Sequence, residues 1–319
     1  MAEIAQARGT IGVSIQAPNA AAAVEQIVAA EDAGVPAAWL TTGGTQADAL
    51  TVFAAAGTRT DRILMGSSII PTWPRNPVFI AQQVVAIESL APGRFRLGIG
   101  PSTKGAMRGF GVDFRTPLTQ LREYLTILGS LLHEGSVDFS GSVVSARARI
   151  GSPVPTPVMA SALQPGAFEL CGELSDGAIT WVCPPAYLVE TALPAIQRGA
   201  TAADRPTPPI VMHVPVSVSD DPQAVREAAQ RQIGGYPSYQ FYREMFVAAG
   251  YEDAADGLSP ELVDELVAHG SEQQVADRLL ELLDLGMGEI LAMPLITDDD
   301  AQGSTQRAFA AVALAASRS

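Results

Sequence analysis

The sequence contains few of the residue types on which metal sites and redox centres depend. Only two cysteines and three histidines occur among its 319 residues, and no CxxC spacing or Cys–His grouping connects them. Cys171 and Cys183 lie in apolar surroundings, which is typical of buried structural thiols. We therefore expect neither a bound metal nor a redox-active cysteine pair.

Positive charge is also scarce. Lysine and arginine total 20 against 34 aspartates and glutamates, giving a formal net charge of −14, and Lys104 is the only lysine. Such an acidic chain is a poor ligand for nucleic acid or for an anionic membrane surface. No apolar run approaches the roughly 20 residues that span a bilayer, and the N-terminus lacks a basic segment followed by an apolar one. We expect a cytoplasmic protein that acts on a small molecule.

Short apolar runs alternate with longer helical segments along the chain. The predicted strands are 10–16, 37–42, 63–70, 95–100, 156–162, 177–183, 209–218 and 288–296. The predicted helices are 20–33, 47–57, 76–90, 117–132, 166–174, 185–199, a long region 222–284 broken at glycines, and 304–316. Residues 138–150 alternate in polarity around a glycine, which predicts a small hairpin. Apolar strands that alternate with helices indicate a parallel sheet covered on both faces.

Eight such units favour closure into a (β/α)8 TIM barrel of the α/β class, formed by residues 1–319 as a single domain. The alternative is an open, doubly wound sheet that binds a dinucleotide. The turn after the first strand, Gln16 to Asn19, has no G-x-G-x-x-G pattern, so the open sheet is the weaker interpretation.

In a barrel of this kind the active site lies at the carboxyl ends of the strands. Those positions hold small, hydroxyl-bearing and aromatic residues, with no carboxylate pair, metal-ligand cluster or Ser-His-Asp arrangement. A hydrolase needs an activated nucleophile and a base. The composition instead favours a large planar cofactor that brings its own chemistry.

Five segments occur in an order that is typical of one enzyme family. They are GSSIIPTWPRNP at 66–77, GRFRLGIGPS at 93–102, LREYLTIL at 121–128, FSG at 139–141 and GELSDGAITW at 172–181. Together they resemble the luciferase-like monooxygenase superfamily and, within it, the coenzyme F420-dependent oxidoreductases similar to methylenetetrahydromethanopterin reductase. The resemblance covers about residues 10–300, and the segment at 93–102 is its most specific part. It implies a (β/α)8 barrel with insertions.

The resemblance also implies where the cofactor binds. In this family a non-prolyl cis peptide in the third strand supports one face of the ring, and by position it falls at Ser67-Ser68. Glycines at 98 and 100 allow close approach of the backbone, and the Ser161 hydroxyl with neighbouring amides is expected to bind the phosphate. The implied set is Gln16, Thr41, Ser67, Ser68, Ile69, Gly98, Gly100, Ser102, Ala160, Ser161, Ala162, Gly177, Thr180 and Trp181. A plain strand, ordinary barrel packing of the glycines, and core packing of Trp181 are the alternatives.

The sequence departs from the family at two places. Members that act on sugar phosphates, alcohols or pterins carry an acidic pair such as Asp-His after the second strand, where this chain has Thr41-Thr42-Gly43. The family's Arg-His-Pro triplet is Arg75-Asn76-Pro77. Without these groups a base for alcohol oxidation is lacking. Thr42 and Tyr236, the latter from the insertion after the seventh strand, are the candidates for a catalytic proton donor, and His213 is interpreted as core or hydrogen-bonded filler.

These features favour coenzyme F420 as cofactor, with FMN as the alternative. With F420 we expect hydride transfer between C5 of the deazaflavin and a small organic substrate, with reduction of an activated C=C or C=N bond. An FMN-dependent monooxygenase and a non-catalytic cofactor-binding barrel stay open. The scarcity of lysine beside abundant alanine and arginine is typical of the GC-rich genomes of actinobacteria, and these organisms commonly make F420. The apolar helix 76–90 suits a homodimer, although packing against the barrel explains it equally well.

Overall fold

The computed structural model of the chain describes residues 9–297 and 300–319. Within those residues the strands form one large parallel sheet and one short antiparallel hairpin. The strands are β1 (Thr10–Ser14), β2 (Ala37–Leu40), β3 (Leu64–Ser67), β4 (Ile70–Pro71), β5 (Phe95–Gly100), β6 (Ser136–Ser140), β7 (Ser145–Arg149), β8 (Val158–Ser161), β9 (Ala178–Ile179), β10 (Ile210–Val218), β11 (Ala268–Gly270) and β12 (Glu289–Pro294).

Helices follow the barrel strands and cover the outside of the sheet. They are α1 (Ala20–Asp32), α2 (Ala49–Gly57), α3 (Pro77–Leu90), α4 (Lys104–Gly109), α5 (Pro117–Gly129), α6 (Pro165–Leu174), α7 (Pro185–Tyr187), α8 (Leu193–Ala202), α9 (Pro222–Ile233), α10 (Gln240–Ala248), α11 (Pro260–Leu266), α12 (Glu272–Asp284) and α13 (Ala301–Ala316). Short π-helical turns occupy Ser130–Glu134 and Leu188–Ala192. In the described part of the chain, no helix combines the length and apolarity needed to cross a bilayer.

The large sheet closes on itself. Its order is β1, β2, β3, β5, β8, β9, β10 and β12, with β12 pairing back to β1 and β9 to β10, all in parallel. β4 continues the line of β3 after a break and pairs with β5. The predicted eight-stranded (β/α)8 barrel is therefore confirmed, and closure satisfies the backbone hydrogen bonds that an open sheet would leave at its edges.

The predicted elements agree best where the apolar pattern is continuous. β5 has the predicted bounds, and the predicted hairpin appears as the antiparallel pair β6 and β7. The long region 222–284 differs from the prediction, because between its helices it contains β11, which pairs in parallel with β10. α4 lies in a segment for which the sequence predicts no element.

Side chains that point into the lower part of the barrel form an apolar layer, here called the plug. Its members are Ala37, Trp39, Met159, Ile179, Val211 and Leu291, all buried. Below it the Trp39 indole donates to Glu289, which also pairs with Arg96. The plug fills the barrel interior as packed core, which blocks a ligand's access through the interior from the amino ends of the strands.

Candidate active site

Above the plug, each barrel strand places one more inward residue near its carboxyl end. The strand registers and side-chain contacts bring together Ser14, Thr41, Ser68, Gly100, Ser161, Trp181, His213 and Met293, here called the upper ring. Four of the eight carry a hydroxyl, and none carries a carboxylate, an ammonium or a guanidinium group. The upper ring can therefore hydrogen-bond a polar ligand without supplying a strong acid or base.

The break between β3 and β4 contains the cis peptide bond that the resemblance implies. It joins Ser68 to Ile69, so the predicted position at Ser67-Ser68 was wrong by one bond. The reason is that Ser67 still pairs with Leu40, and the Ser68 amide still donates to the Leu40 carbonyl at 3.0 Å. The Thr41 hydroxyl donates to the Ser68 carbonyl at 2.6 Å and ties the end of β2 to this break.

Ser67 itself faces the protein. Its hydroxyl donates to the Gly98 carbonyl and accepts from the Gly98 amide, both at 2.9 Å, and the residue is fully buried. An added Cβ at Gly98 would collide with the Ser67 carbonyl oxygen. The alternative of ordinary barrel packing thus describes Ser67 and Gly98 well. At Gly100 an added Cβ would collide with the Ser161 hydroxyl and approach Ile69, so this glycine lies beside upper-ring groups.

Of the residues predicted to bind the cofactor phosphate, only some have groups free for that role. The amides of Ala160 and Ala162 donate to the carbonyls of Gly177 and Ile179, both at 3.0 Å, so sheet pairing already uses them. Gly177 precedes the amino end of β9 and is packed against Met159 of the plug. Of this group the Ser161 side chain is the one that faces the barrel mouth.

His213 and Trp181 form the aromatic side of the upper ring. The His213 Nδ1 lies 2.6 Å from the carbonyl oxygen of the buried Thr180, and its ring meets the Trp181 ring edge-on at 4.9 Å between centroids. Burial lowers the pKa of His213 to about 4, against the opposing effect of the Thr180 hydrogen bond. At neutral pH the imidazole is uncharged and carries its proton on Nδ1, because a carbonyl can only accept.

Tyr236 covers this aromatic side from the insertion after β10. Its ring lies 5.6 Å from that of Trp181 and 4.8 Å from that of Tyr242. Burial raises the pKa of the Tyr236 phenol. The phenol is therefore protonated at neutral pH. The Trp181 indole N–H is buried without a hydrogen-bond partner in the described part of the chain.

Three predicted residues lie at the rim, outside the upper ring. The Thr42 oxygen accepts from the Ala49 amide at 3.0 Å at the start of α2, and the residue is 6% exposed. Gln16 donates to the Pro294 carbonyl at 3.0 Å and joins the ends of β1 and β12. Ser102 adopts a positive φ of 61° in the turn that leads into α4.

The departure at Arg75-Asn76-Pro77 has a structural role here. Asn76 caps α3 by accepting from the Val78 amide at 2.9 Å, with Pro77 in the first turn. Asp48 caps α2 and lies 2.8 Å from the Arg75 guanidinium, so this rim carboxylate is already engaged. Among the described residues, no group of three or more metal-ligating side chains occurs.

Sequence reasoning missed two members of the upper ring as residues that face the barrel mouth: Ser14 and His213. Each lies inside a strand, two residues beyond a more deeply placed inward residue, as for Val211 and His213. The period of two along a strand is the signal that finds them, but only once it is known which residues of each strand point inward.

The fold and the site place the protein among (β/α)8-barrel proteins that have a broken third strand and hydroxyl groups at the carboxyl ends of the strands. The family model of luciferase-like monooxygenases matches residues 3–289, and the chain belongs to that family.

Curated relatives with detectable sequence similarity include two actinobacterial proteins. An F420-dependent glucose-6-phosphate dehydrogenase of Beutenbergia cavernae is 33% identical over 196 residues, which are 59% of this chain and 58% of the relative. The protein of the same name from Mycobacterium tuberculosis is 31% identical over 217 residues, 62% of this chain and 65% of the relative. The chain thus matches less than two thirds of the length of either relative.

Solved structures agree with this fold over nearly the whole chain. An F420-dependent secondary alcohol dehydrogenase in complex with an F420–acetone adduct has a TM-score of 0.78 at 20% identity, over 97% of this chain and 99% of that one. The F420-dependent tetrahydromethanopterin reductase of Methanopyrus kandleri has a TM-score of 0.73 at 18% identity, over 95% and 97%. At these identities the likeness shows the barrel architecture.

Proposed function

We propose that the chain is an oxidoreductase that binds coenzyme F420 at the upper ring and transfers hydride between this cofactor and a small organic substrate. The observation that carries the proposal is the chemistry of the upper ring: hydroxyls, an indole and one neutral imidazole, without a carboxylate. Side chains of this kind bind and orient a group but cannot themselves carry redox chemistry. The names of the relatives favour F420 as that group.

The residues present fit a planar ring with a polar tail. Among the described residues the buried indole N–H of Trp181 has no partner, and the Ser161 hydroxyl stands beside Gly100, where it occupies the place of an added Cβ. We assign one face of the ring to Ile69 at the β3–β4 break, its polar edge to Thr41 and Ser68, and the phosphate to Ser161. When bound, F420 supplies the carbon that accepts or releases hydride. The plug lies beneath the assigned ring position and excludes water from the lower side of the bound ring.

The available groups favour reduction of an activated C=C or C=N bond over oxidation of an alcohol. Alcohol oxidation needs a base, and His213, with its pKa lowered to about 4, holds a proton poorly at neutral pH. The Asp48 carboxylate is bound to Arg75. Reduction needs a proton donor, and the protonated Tyr236 phenol suits that role. Thr42 suits it less, because its oxygen is buried and already accepts from the Ala49 amide.

A flavin has a similar ring, so an FMN-dependent monooxygenase is the second candidate. The family description and the likeness to an FMN-bound oxygenating enzyme with a TM-score of 0.68 favour it. A barrel that binds cofactor without turnover is the third candidate, and it predicts binding of F420 without any hydride transfer.

We also propose a homodimer through α3. This helix buries Ile80 and Val84 against the barrel, while Phe79 and Leu90 on its other side are 64% and 44% exposed. Barrel packing therefore accounts for only part of its apolar character. Analytical ultracentrifugation of the wild-type protein and of Phe79→Ser tests this, with a shift to monomer expected for the variant.

The reaction is tested by anaerobic turnover followed at the absorbance of oxidised F420. Reduced F420 is mixed with the protein and with cyclic enones or imines, and oxidised F420 with glucose 6-phosphate or secondary alcohols. Reoxidation by the enones or imines is the expected result. Reduction of F420 by an alcohol alone would overturn the proposed direction, and oxygen-dependent turnover with reduced FMN would favour the monooxygenase.

A further inference from the structure

We infer that Nε2 of His213 is a ligand-binding atom, which accepts a hydrogen bond from an N–H or O–H group on the fused ring of the bound cofactor. The inference rests on the proposed function and adds to it a residue that neither the sequence pattern nor the role of core filler assigns to ligand binding.

The hydrogen bond to Thr180 determines what Nε2 can do. Nδ1 lies 2.6 Å from the Thr180 carbonyl oxygen, and a carbonyl oxygen only accepts, so Nδ1 carries the proton. The neutral imidazole has one proton, and Nε2 is therefore left with a lone pair. The edge-on contact with the Trp181 ring at 4.9 Å holds the imidazole plane in place.

The position of His213 directs that lone pair towards the barrel mouth. On β10, Val211 is part of the plug, and His213 is the next inward residue in the direction of the carboxyl end. The residue is only 4% exposed. Nε2 has no hydrogen-bond partner among the residues that the structure describes, yet, unlike the Trp181 indole nitrogen, it is not sealed from solvent.

A purely structural role explains this arrangement poorly. Because Nε2 is open to solvent, water can satisfy its lone pair while the site is empty, and a ligand that displaces this water has to replace its hydrogen bond. Thr180 needs only one nitrogen of the ring. The second nitrogen therefore requires a partner from outside the chain, and among the neighbours that face His213, the Trp181 indole lies edge-on and the plug residues are apolar.

The complementary chemistry is a hydrogen-bond donor on a flat ring. Deazaflavins and flavins share an imide N–H between two carbonyls, and F420 carries in addition a ring hydroxyl that FMN lacks. Either donor satisfies Nε2, and the two can be separated by comparing F420 with FMN.

The test is the ¹⁵N NMR spectrum of histidine-labelled protein, titrated with F420 and separately with FMN while protein fluorescence reports binding. The chain has three histidines, so His133 and His269 serve as internal references. An upfield shift of the His213 Nε2 signal is expected on binding. At concentrations at which fluorescence shows both cofactors to be bound, a shift with both assigns the imide N–H, and a shift with F420 alone assigns the ring hydroxyl. Binding seen by fluorescence without any Nε2 shift would overturn the inference alone, whereas absence of binding by either cofactor would overturn the proposed function and the inference with it.

Two variants of His213 distinguish the effect of losing the hydrogen bond from an effect on folding. His213→Leu removes the acceptor and is expected to weaken cofactor binding by about tenfold, whereas His213→Gln keeps an acceptor and should recover most of that loss. Met212→Leu, next to His213 but on the opposite face of β10, is the control for packing. Equal binding by all three variants, with thermal unfolding near that of the wild type, would contradict the inference.

Discussion

Trp39 donates its indole N–H to the Glu289 carboxylate at 2.7 Å, across the floor of the barrel. The same carboxylate pairs with Arg96, whose guanidinium carbon lies 4.3 Å from the centre of the Trp39 ring. Three side chains from β2, β5 and β12 thus close the barrel below the plug. Since Glu289 and Arg96 are almost fully enclosed, each depends on the other for compensation of its charge.

Glu289→Gln should destabilise the barrel strongly, because it leaves the Arg96 charge buried without its counter-ion. We expect a loss of about 3 kcal/mol in the free energy of unfolding, measured by urea denaturation. Glu25→Gln removes the exposed pair with Arg59 and serves as control, with no measurable change expected. Equal stability of the two variants would show that the floor charges do not support the fold.

Acid should loosen the hairpin β6–β7 through Glu123 of α5. The Glu123 carboxylate accepts the amides of Ser142, Val143 and Val144 and the Ser142 hydroxyl. Burial raises the pKa of Glu123, but these hydrogen bonds outweigh it and lower the pKa to about 2. The stabilisation is therefore complete above pH 4.5 and disappears as the pH falls towards 2. Between those values, unfolding of Glu123→Gln should depend less on pH than that of the wild type.

Gly98→Ala should mainly lower the stability of the fold, whereas Gly100→Ala should mainly weaken cofactor binding. The added Cβ at Gly98 meets the Ser67 carbonyl oxygen, a backbone atom that cannot move, whereas at Gly100 it meets the Ser161 hydroxyl, which can rotate. We expect a large drop in melting temperature for Gly98→Ala, and for Gly100→Ala a near-normal melting temperature with F420 binding weakened by about tenfold. Similar melting temperatures for the two variants would contradict this assignment.

Ser161→Ala and Ser67→Ala form a second pair with opposite expectations. The Ser161 hydroxyl is assigned to the cofactor phosphate, so its loss should weaken F420 binding by about tenfold without loss of stability. The Ser67 hydroxyl bonds both the amide and the carbonyl of Gly98. Its loss should lower the free energy of unfolding by about 1 to 2 kcal/mol. Fluorescence titration and urea denaturation of both variants distinguish the two roles.

Tyr236→Phe should lower turnover by at least about tenfold, since it removes the assigned proton donor, while the affinity for F420 stays unchanged. Tyr239→Phe, altered at a neighbouring tyrosine that is 45% exposed, provides the matched control. Normal turnover by Tyr236→Phe would exclude Tyr236 as the proton donor and leave Thr42 or water in that role.

Much of the fold follows from local sequence pattern. The apolar run at 95–100 predicts β5 with its observed bounds, and the repeated strand–helix alternation predicts the closed barrel. β11 escapes prediction because three residues between helices carry no periodic signal, and its strand character depends on pairing with β10. The site is less accessible to sequence reasoning, because which residues face the mouth depends on register. Gly177 and Ile179 lie two residues apart in sequence, yet Gly177 comes before β9 and Ile179 packs into the plug. The sequence pattern alone does not reveal this difference.

The most direct test of the central claim is a titration of the purified protein with F420 and with FMN under identical conditions, followed by quenching of protein fluorescence. Trp181, in the upper ring, lies where a bound ring would quench it. The account predicts saturable quenching by F420 at concentrations at which FMN has little effect, and in Gly100→Ala half-maximal quenching at an F420 concentration about tenfold higher. Tight binding of FMN without binding of F420 would contradict it.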